Sequence, residues 1–219
     1  MYTPPAYAEQ DEVLLRARMR EWSFATLVTH GDNGLNATHL PFLVDEEGPD
    51  GTAHIHAGHG LLTTHLARGN PQFHDLKAGA PALVIFQGPH AFISPSWYEN
   101  RMTFPTWNYT AIHVQGTPEV VEDAEAIRAV LERTVATYDT PLGGDWSFPG
   151  VPADYTALRL KAIAAVRIPI ARIEGKMKLN QDKPVADRLG VIAALERQGD
   201  AQSLAVAALI RQQPGIAAT

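Results

Sequence analysis

The sequence predicts an α+β protein, mainly β, with helices inserted into a β-rich centre and appended after it. Three observations carry this. FATLVTH at 24–30 is followed by Gly31-Asp32-Asn33-Gly34 and a return run at 35–44, the pattern of a hairpin. Two further extended runs lie at 83–86 and 107–115. Strands and helices do not alternate regularly, so a doubly wound parallel sheet is not expected. Successive hairpins point to antiparallel sheets and to a barrel.

In chain order, residues 1–8 read as an extended arm. A helix is predicted over 9–22, with Val13, Leu14, Met19 and Trp22 as anchors, acids in its first turn and Arg16, Arg18 and Arg20 later. After the 24–44 hairpin comes an acidic turn at 45–51 and a third strand at 52–57. Gly58-His59-Gly60 breaks that strand. A short helix is predicted over 61–69, closed by Gly69-Asn70-Pro71. Between the runs at 83–86 and 107–115 lies a rigid aromatic connection. It holds Pro89, Pro95 and Pro105 with Ser94, Ser96, Trp97, Tyr98 and Asn100. Along 107–115 the side chains alternate. Trp107, Tyr109, Ala111, His113 and Gln115 share one face, and Asn108, Thr110, Ile112 and Val114 the other.

A helix opening at Pro118 carries Ile127, Val130, Leu131, Thr134, Val135 and Tyr138 on one face. A Gly- and Pro-rich loop follows at 140–152 with Trp146 and Phe148, then a helix at 155–161. A long strand is expected at 163–173, with Pro169 marking an edge or a bulge. Residues 174–183 read as a basic loop. Helices at 185–197 and 201–212, split by Gln198-Gly199-Asp200, close the chain. This order is a single domain over 1–219, with a core at about 20–175 and a helical extension at about 184–214.

The 219 residues are 45% hydrophobic and 19% charged, which suits a folded core. Net charge is -6 and disfavours phosphate-neutralising nucleic-acid binding. The absence of cysteine excludes disulfides, thiolate nucleophiles, iron–sulfur clusters and cysteine zinc sites. It fits a cytoplasmic protein. The start MYTPPAYAEQDEV has no basic, apolar leader, and no apolar run approaches membrane-spanning length.

The residues offer several chemistries. His54, His56 and His59 are the one histidine cluster, but no nearby carboxylate completes a metal set. His39 sits in an otherwise apolar strand and needs a hydrogen-bond partner or a ligand. The Gly-x-Gly at 58–60 before a helix is a candidate phosphate cradle, with N–H groups at 60–63 and hydroxyls from Thr63 and Thr64. GKMKLNQDK at 175–183 is either a solvated basic turn or a donor-rich loop that reaches a phosphate or a carbonyl-rich ring. The aromatics around 97–107 either line a pocket for a flat ligand or supply buried area to a core or dimer interface. No Gly-x-Ser-x-Gly, P-loop or dinucleotide-binding glycine motif is present.

Several blocks resemble the PaiB family, labelled FMN-binding negative transcriptional regulators. They are MYTPPAY, FATLVT, NATHLPFLVD, HLARGNPQF, VIFQGPHAFISPSWY, PTWNYTAIHVQG and GKMKLNQDKP, in the family's order. The end of the basic block, Asn180-Gln181-Asp182-Lys183, departs from the family's Ser-Gln-Asn-Arg-like pattern by placing an acid at 182. The resemblance implies a split β-barrel of the FMN-binding type, a homodimer, and flavin mononucleotide at the dimer interface. It implies Thr38 and His39 near the isoalloxazine ring, and His59, Thr63 and Thr64 near the phosphate. Gln87, Trp107 and Asn108 would lie near the ring or the partner chain, with Lys178 and Gln181 as further candidates. The implied function is FMN binding with flavin-dependent oxidoreductase chemistry on a small molecule. Alternatives are a negative transcriptional regulator and a haem-binding protein. The charge and the few basic residues of the last helices argue against direct DNA binding.

Overall fold

The computed structural model describes residues 1–32, 34–46 and 59–216. The strands are β1 (Ala8–Glu9), β2 (Phe24–Gly31), β3 (Gly34–Pro41), β4 (Leu43–Asp45), β5 (Leu61–Ala67), β6 (Ala82–Ile93), β7 (Thr106–Gly116), β8 (Glu119–Val121), β9 (Ile163–Pro169) and β10 (Arg172–Lys178). The helices are α1 (Glu12–Glu21), α2 (Gln72–Lys77), α3 (Ala124–Tyr138), α4 (Ala153–Lys161), α5 (Val185–Gln198) and α6 (Ala201–Arg211). The chain divides into two compact units. One comprises residues 1–15, 87–112 and 174–219, and the other residues 16–86 and 113–173.

In the larger unit the expected hairpin forms. β2 and β3 pair antiparallel from Phe24↔Pro41 to Gly31↔Gly34, with Gly34 at φ 96 in the turn. The first half of β6 joins β2 through Thr26↔Ile85 to Thr29↔Ala82. A separate sheet has the order β4-β5-β9-β8, all antiparallel. Phe42 and Phe86, both buried, meet edge to face with centroids 5.9 Å apart. Ile127 and Val130 of α3 pack with Leu160 of α4 and Ala165 of β9, the face that helical periodicity marked.

In the smaller unit β1 pairs with β10 through Ala8↔Lys176 and Glu9↔Gly175. A Cβ on Gly175 would meet Leu15 Cδ2 at 2.3 Å, so glycine lets β10 pass this helix residue. The C-terminal helix pair forms as expected. Gly199, at φ 72, caps α5, and the Asp200 side chain accepts from Ser203 N to start α6.

Several expectations are corrected. Residues 61–67 are strand, not helix, because β5 lies between β4 and β9 and is buried on both faces. Such a run shows no alternation to distinguish it from a buried helix. The strand expected at 163–173 breaks at Ile170-Ala171, and 174–178, expected as loop, belongs to β10. β6 runs on past Pro89. Its burial alternation slips at Pro89-His90, as at a bulge, which accommodates the proline. A short β8 precedes α3, which starts at an Asp123 cap instead of Pro118. In α1 the buried anchors are Leu15 and Met19, four residues apart, while Val13 is 67% exposed. The strand expected at 52–57, with His54 and His56, lies outside the described residues.

Burial holds the pKa of His65, on β5, below the ordinary histidine value. Between its folded pKa and the unfolded value of about 6.5, the unfolded chain binds the extra proton. This contribution to stability is therefore complete above about pH 6.5 and is lost as pH falls through that window. His65→Asn is expected to flatten the acid side of a plot of urea midpoint against pH. An unchanged slope below about pH 6.5 would assign the acid sensitivity to other groups.

Candidate functional site

The blocks that suggested a ligand-binding protein fold onto two places, one in each unit. In the larger unit NATHLPFLVD and HLARGNPQF meet in a buried polar network. Gln72 Nε2 donates to Leu27 O at 3.1 Å, Thr29 Oγ1 at 3.1 Å and Asn36 O at 3.3 Å. Asp75 Oδ2 accepts from Thr29 Oγ1 and Asn36 Nδ2, both at 2.7 Å. Asn70 Nδ2 donates to Thr38 Oγ1 at 2.9 Å, and Asn70 Oδ1 accepts from Gln72 N at 2.9 Å. This network ties α2 to the β2–β3 hairpin. Gln72 and Asp75 were not singled out from sequence. The signal available was their place in and just after the HLARGNPQF block.

The larger unit holds five of the ten candidates. Thr38 accepts from Asn70, as above. Thr64 Oγ1 donates to Pro41 O at 2.7 Å within the buried face of β5. Thr63, 1% exposed, has a hydroxyl with no hydrogen-bond partner among the described residues. His39 is exposed on the outer face of β3, with Nδ1 2.9 Å from Thr26 Oγ1. His59 is half-buried, and its carbonyl accepts from Arg16 at 3.5 Å. The helix-N-terminus cradle expected at 60–63 does not exist, because Leu61 starts a strand and the next helix begins at Gln72. Gly60, at φ 107, instead fits closely under Asp45 O, where a Cβ would stand 2.4 Å away.

In the smaller unit MYTPPAY, ISPSWY, PTWNY and GKMKLNQDK converge on one pocket of about 210 Å³. Its lining includes Tyr7, Tyr98, Thr106, Asn108, Lys178 and Asn180. Asn108 is 0% exposed, and neither its Oδ1 nor its Nδ2 has a partner among the described residues. Lys178 Nζ donates to Thr106 Oγ1, which uses one of its three N–H groups. Asn180, at φ 63, donates from Nδ2 to the Tyr98 hydroxyl at 2.6 Å, and its Oδ1 is unpaired. Burial is the largest influence on Tyr98 and raises its pKa, so the hydroxyl keeps its proton. Lys183 and Asp182, also in the lining, pair at 3.3 Å, which leaves Lys178 as the lining cation without an ion-pair partner among the described residues.

Gln181 accepts from Leu179 N at 2.7 Å and donates to Met177 O, so its amide closes the turn that holds Asn180. Trp107 and Asn108 are sequence neighbours on opposite faces of β7. Trp107 is 53% exposed, with its ring 5.9 Å from Phe92 and 6.1 Å from His90. Gln87 is exposed on β6. The structure thus brings Asn108 and Lys178 to one pocket and turns Trp107 away from it. An orphaned buried amide beside a cation fits a ligand that carries carbonyls, N–H groups and negative charge. At about 210 Å³ the pocket is smaller than the 300–1,000 Å³ typical of ligand sites, so it admits one end of such a molecule.

A family model described as "Putative FMN-binding domain" matches residues 1–172. The chain is 32% identical over 216 residues to protease synthase and sporulation protein PAI 2 of Bacillus subtilis, covering 97% of this chain and 98% of that protein. It is 28% identical over 254 residues to an uncharacterized protein of Aspergillus fumigatus, with 97% of each covered. Among solved structures, the FAD and heme binding protein of Mycobacterium smegmatis superposes with a TM-score of 0.58 at 16% identity, over 84% of this chain and 78% of that one. A flavocytochrome of Azotobacter vinelandii gives 0.56 at 13% identity, over 78% and 69%. These likenesses speak to fold, and the fold class is the α+β architecture the sequence predicts, as the split β-barrel that the family resemblance implies.

Proposed function

The chain belongs to the FMN-binding domain family of PaiB type, and from that membership we propose that it works as a homodimeric flavoprotein oxidoreductase acting on a small molecule. FMN is its cofactor. When bound, it supplies reversible two-electron transfer. The single observation that carries a ligand role for this chain's own residues is the buried, unpaired Asn108 amide facing the pocket beside Lys178. A buried polar group without a partner costs about 1–3 kcal/mol, and a ligand removes that penalty.

The ten candidates divide by what their side chains already do. Thr38, Thr64 and Gln181 position neighbouring segments through the bonds described above. Asn108, Lys178 and Thr63 retain hydrogen-bonding capacity for a ligand. His39, His59, Gln87 and Trp107 remain candidates at the ring, the phosphate or the partner chain. Trp107, with His90 and Phe92, offers an outward aromatic surface to a flat ring or to a second copy. Phe24 and Leu35, exposed on the hairpin's outer side, favour a homodimer that covers them.

The test is a visible absorption spectrum of the purified protein before and after excess FMN and desalting. A retained flavin band is expected, and Trp107→Ala is expected to weaken retention about tenfold with little loss of stability, through the outward face that Trp107 offers to the partner chain's flavin. A sharp haem band would favour the haem reading instead. No retained chromophore would sink the flavoprotein reading. Salt-sensitive, specific DNA binding by the pure protein would favour direct repression, against which the net charge of -6 argues.

A further inference from the structure

The Asn108 pocket has a polarity that selects among the parts of a flavin. Asn108 presents one acceptor, Oδ1, and one donor group, Nδ2, both buried and both unpaired among the described residues. A phosphate would satisfy Nδ2 but would leave Oδ1 facing a negative group. A planar imide edge, C(=O)–NH–C(=O), satisfies both atoms in one plane: its N–H donates to Oδ1 and one carbonyl accepts from Nδ2. Lys178 keeps N–H groups for the other carbonyl after bonding Thr106. The Tyr98 hydroxyl accepts from Asn180, and its own proton remains available to a carbonyl. A cavity of about 210 Å³ has room for a six-membered ring edge.

We propose that this pocket receives the pyrimidine edge of the flavin, with Asn108 reading its imide and Lys178 beside the second carbonyl. The inference rests on the FMN reading above and assigns which end of the ring this pocket takes. Lys178 then stabilises the negative charge that reduction places on the pyrimidine ring, which raises the flavin's reduction potential.

The test titrates the full chain with FMN and with N3-methyl-FMN, following flavin fluorescence. N3-methyl-FMN lacks the imide N–H. It is expected to bind the native protein at least about tenfold more weakly than FMN, because a site built around an N–H rejects an analogue lacking it. Asn108→Leu is expected to weaken FMN and to make the two flavins bind alike. Lys178→Met is expected to lower the potential of bound FMN. Equal binding of both flavins by the native protein would overturn the inference while leaving the FMN reading intact, with water filling the pocket. Undiminished discrimination in Asn108→Leu would also overturn it, since the N–H would then be read elsewhere. Failure of the native protein to bind either flavin would overturn both readings. If circular dichroism shows Asn108→Leu to be unfolded, the two flavins on the native protein still decide.

Discussion

Asp75→Ala is expected to lower the unfolding free energy by about 2–4 kcal/mol, although Asp75 lies outside the pocket described above. Its Oδ2 takes hydrogen bonds from Thr29 and Asn36, and Thr29 is itself buried. Removing the carboxylate leaves the Thr29 hydroxyl proton and the Asn36 amide without this acceptor together, while Thr29 Oγ1 keeps its bond from Gln72. Asp75→Asn keeps an acceptor and is expected to lose about 1 kcal/mol. The carboxylate also lies against Gly31, where a Cβ would stand 1.9 Å from Oδ1. Gly31→Ala therefore displaces the same group, and the double variant Gly31→Ala/Asp75→Ala should lose less than the sum of the singles. Urea midpoints at constant slope measure all of this. A loss below about 0.5 kcal/mol for Asp75→Ala would show that solvent replaces the carboxylate without penalty.

Phe86→Ala is expected to cost about 3–5 kcal/mol. The ring is fully buried at the end of the first half of β6 and meets Phe42 edge to face. Truncation removes its apolar contacts and the Phe42 pairing and leaves a cavity in a packed interior. Phe86→Leu keeps most of the volume and should cost about 1–2 kcal/mol. Thermal and urea unfolding give both numbers. A loss under about 1 kcal/mol for Phe86→Ala would mean that neighbouring chains collapse into the space.

What the sequence made legible follows from how local each signal is. Asp32-Asn33-Gly34 encodes a hairpin turn in adjacent residues, and the strands around it pair as read. Gly199 and Asp200 encode a helix end and a helix start in the same way. β5 was misread because LLTTHLA is buried on both sides, so neither period shows. β10 was misread because RIEGKMK is polar, and its pairing, with β1 among others, is what reveals a strand. In the candidate site, Asn108 and Lys178 were picked out by family resemblance. Their meeting in one pocket required strands far apart in sequence. Alternation along 107–115 was legible, and it already implied that Trp107 and Asn108 look opposite ways.

That alternation has a consequence for how the protein tolerates change over time. Substitution at Trp107, on the exposed side of β7, alters one surface and leaves the interior intact. Insertion or deletion of a single residue does something else: it would turn Asn108, Thr110, Ile112 and Val114 outward together. β7 can therefore drift by exchange of letters on one side, while its length is held fixed by the other.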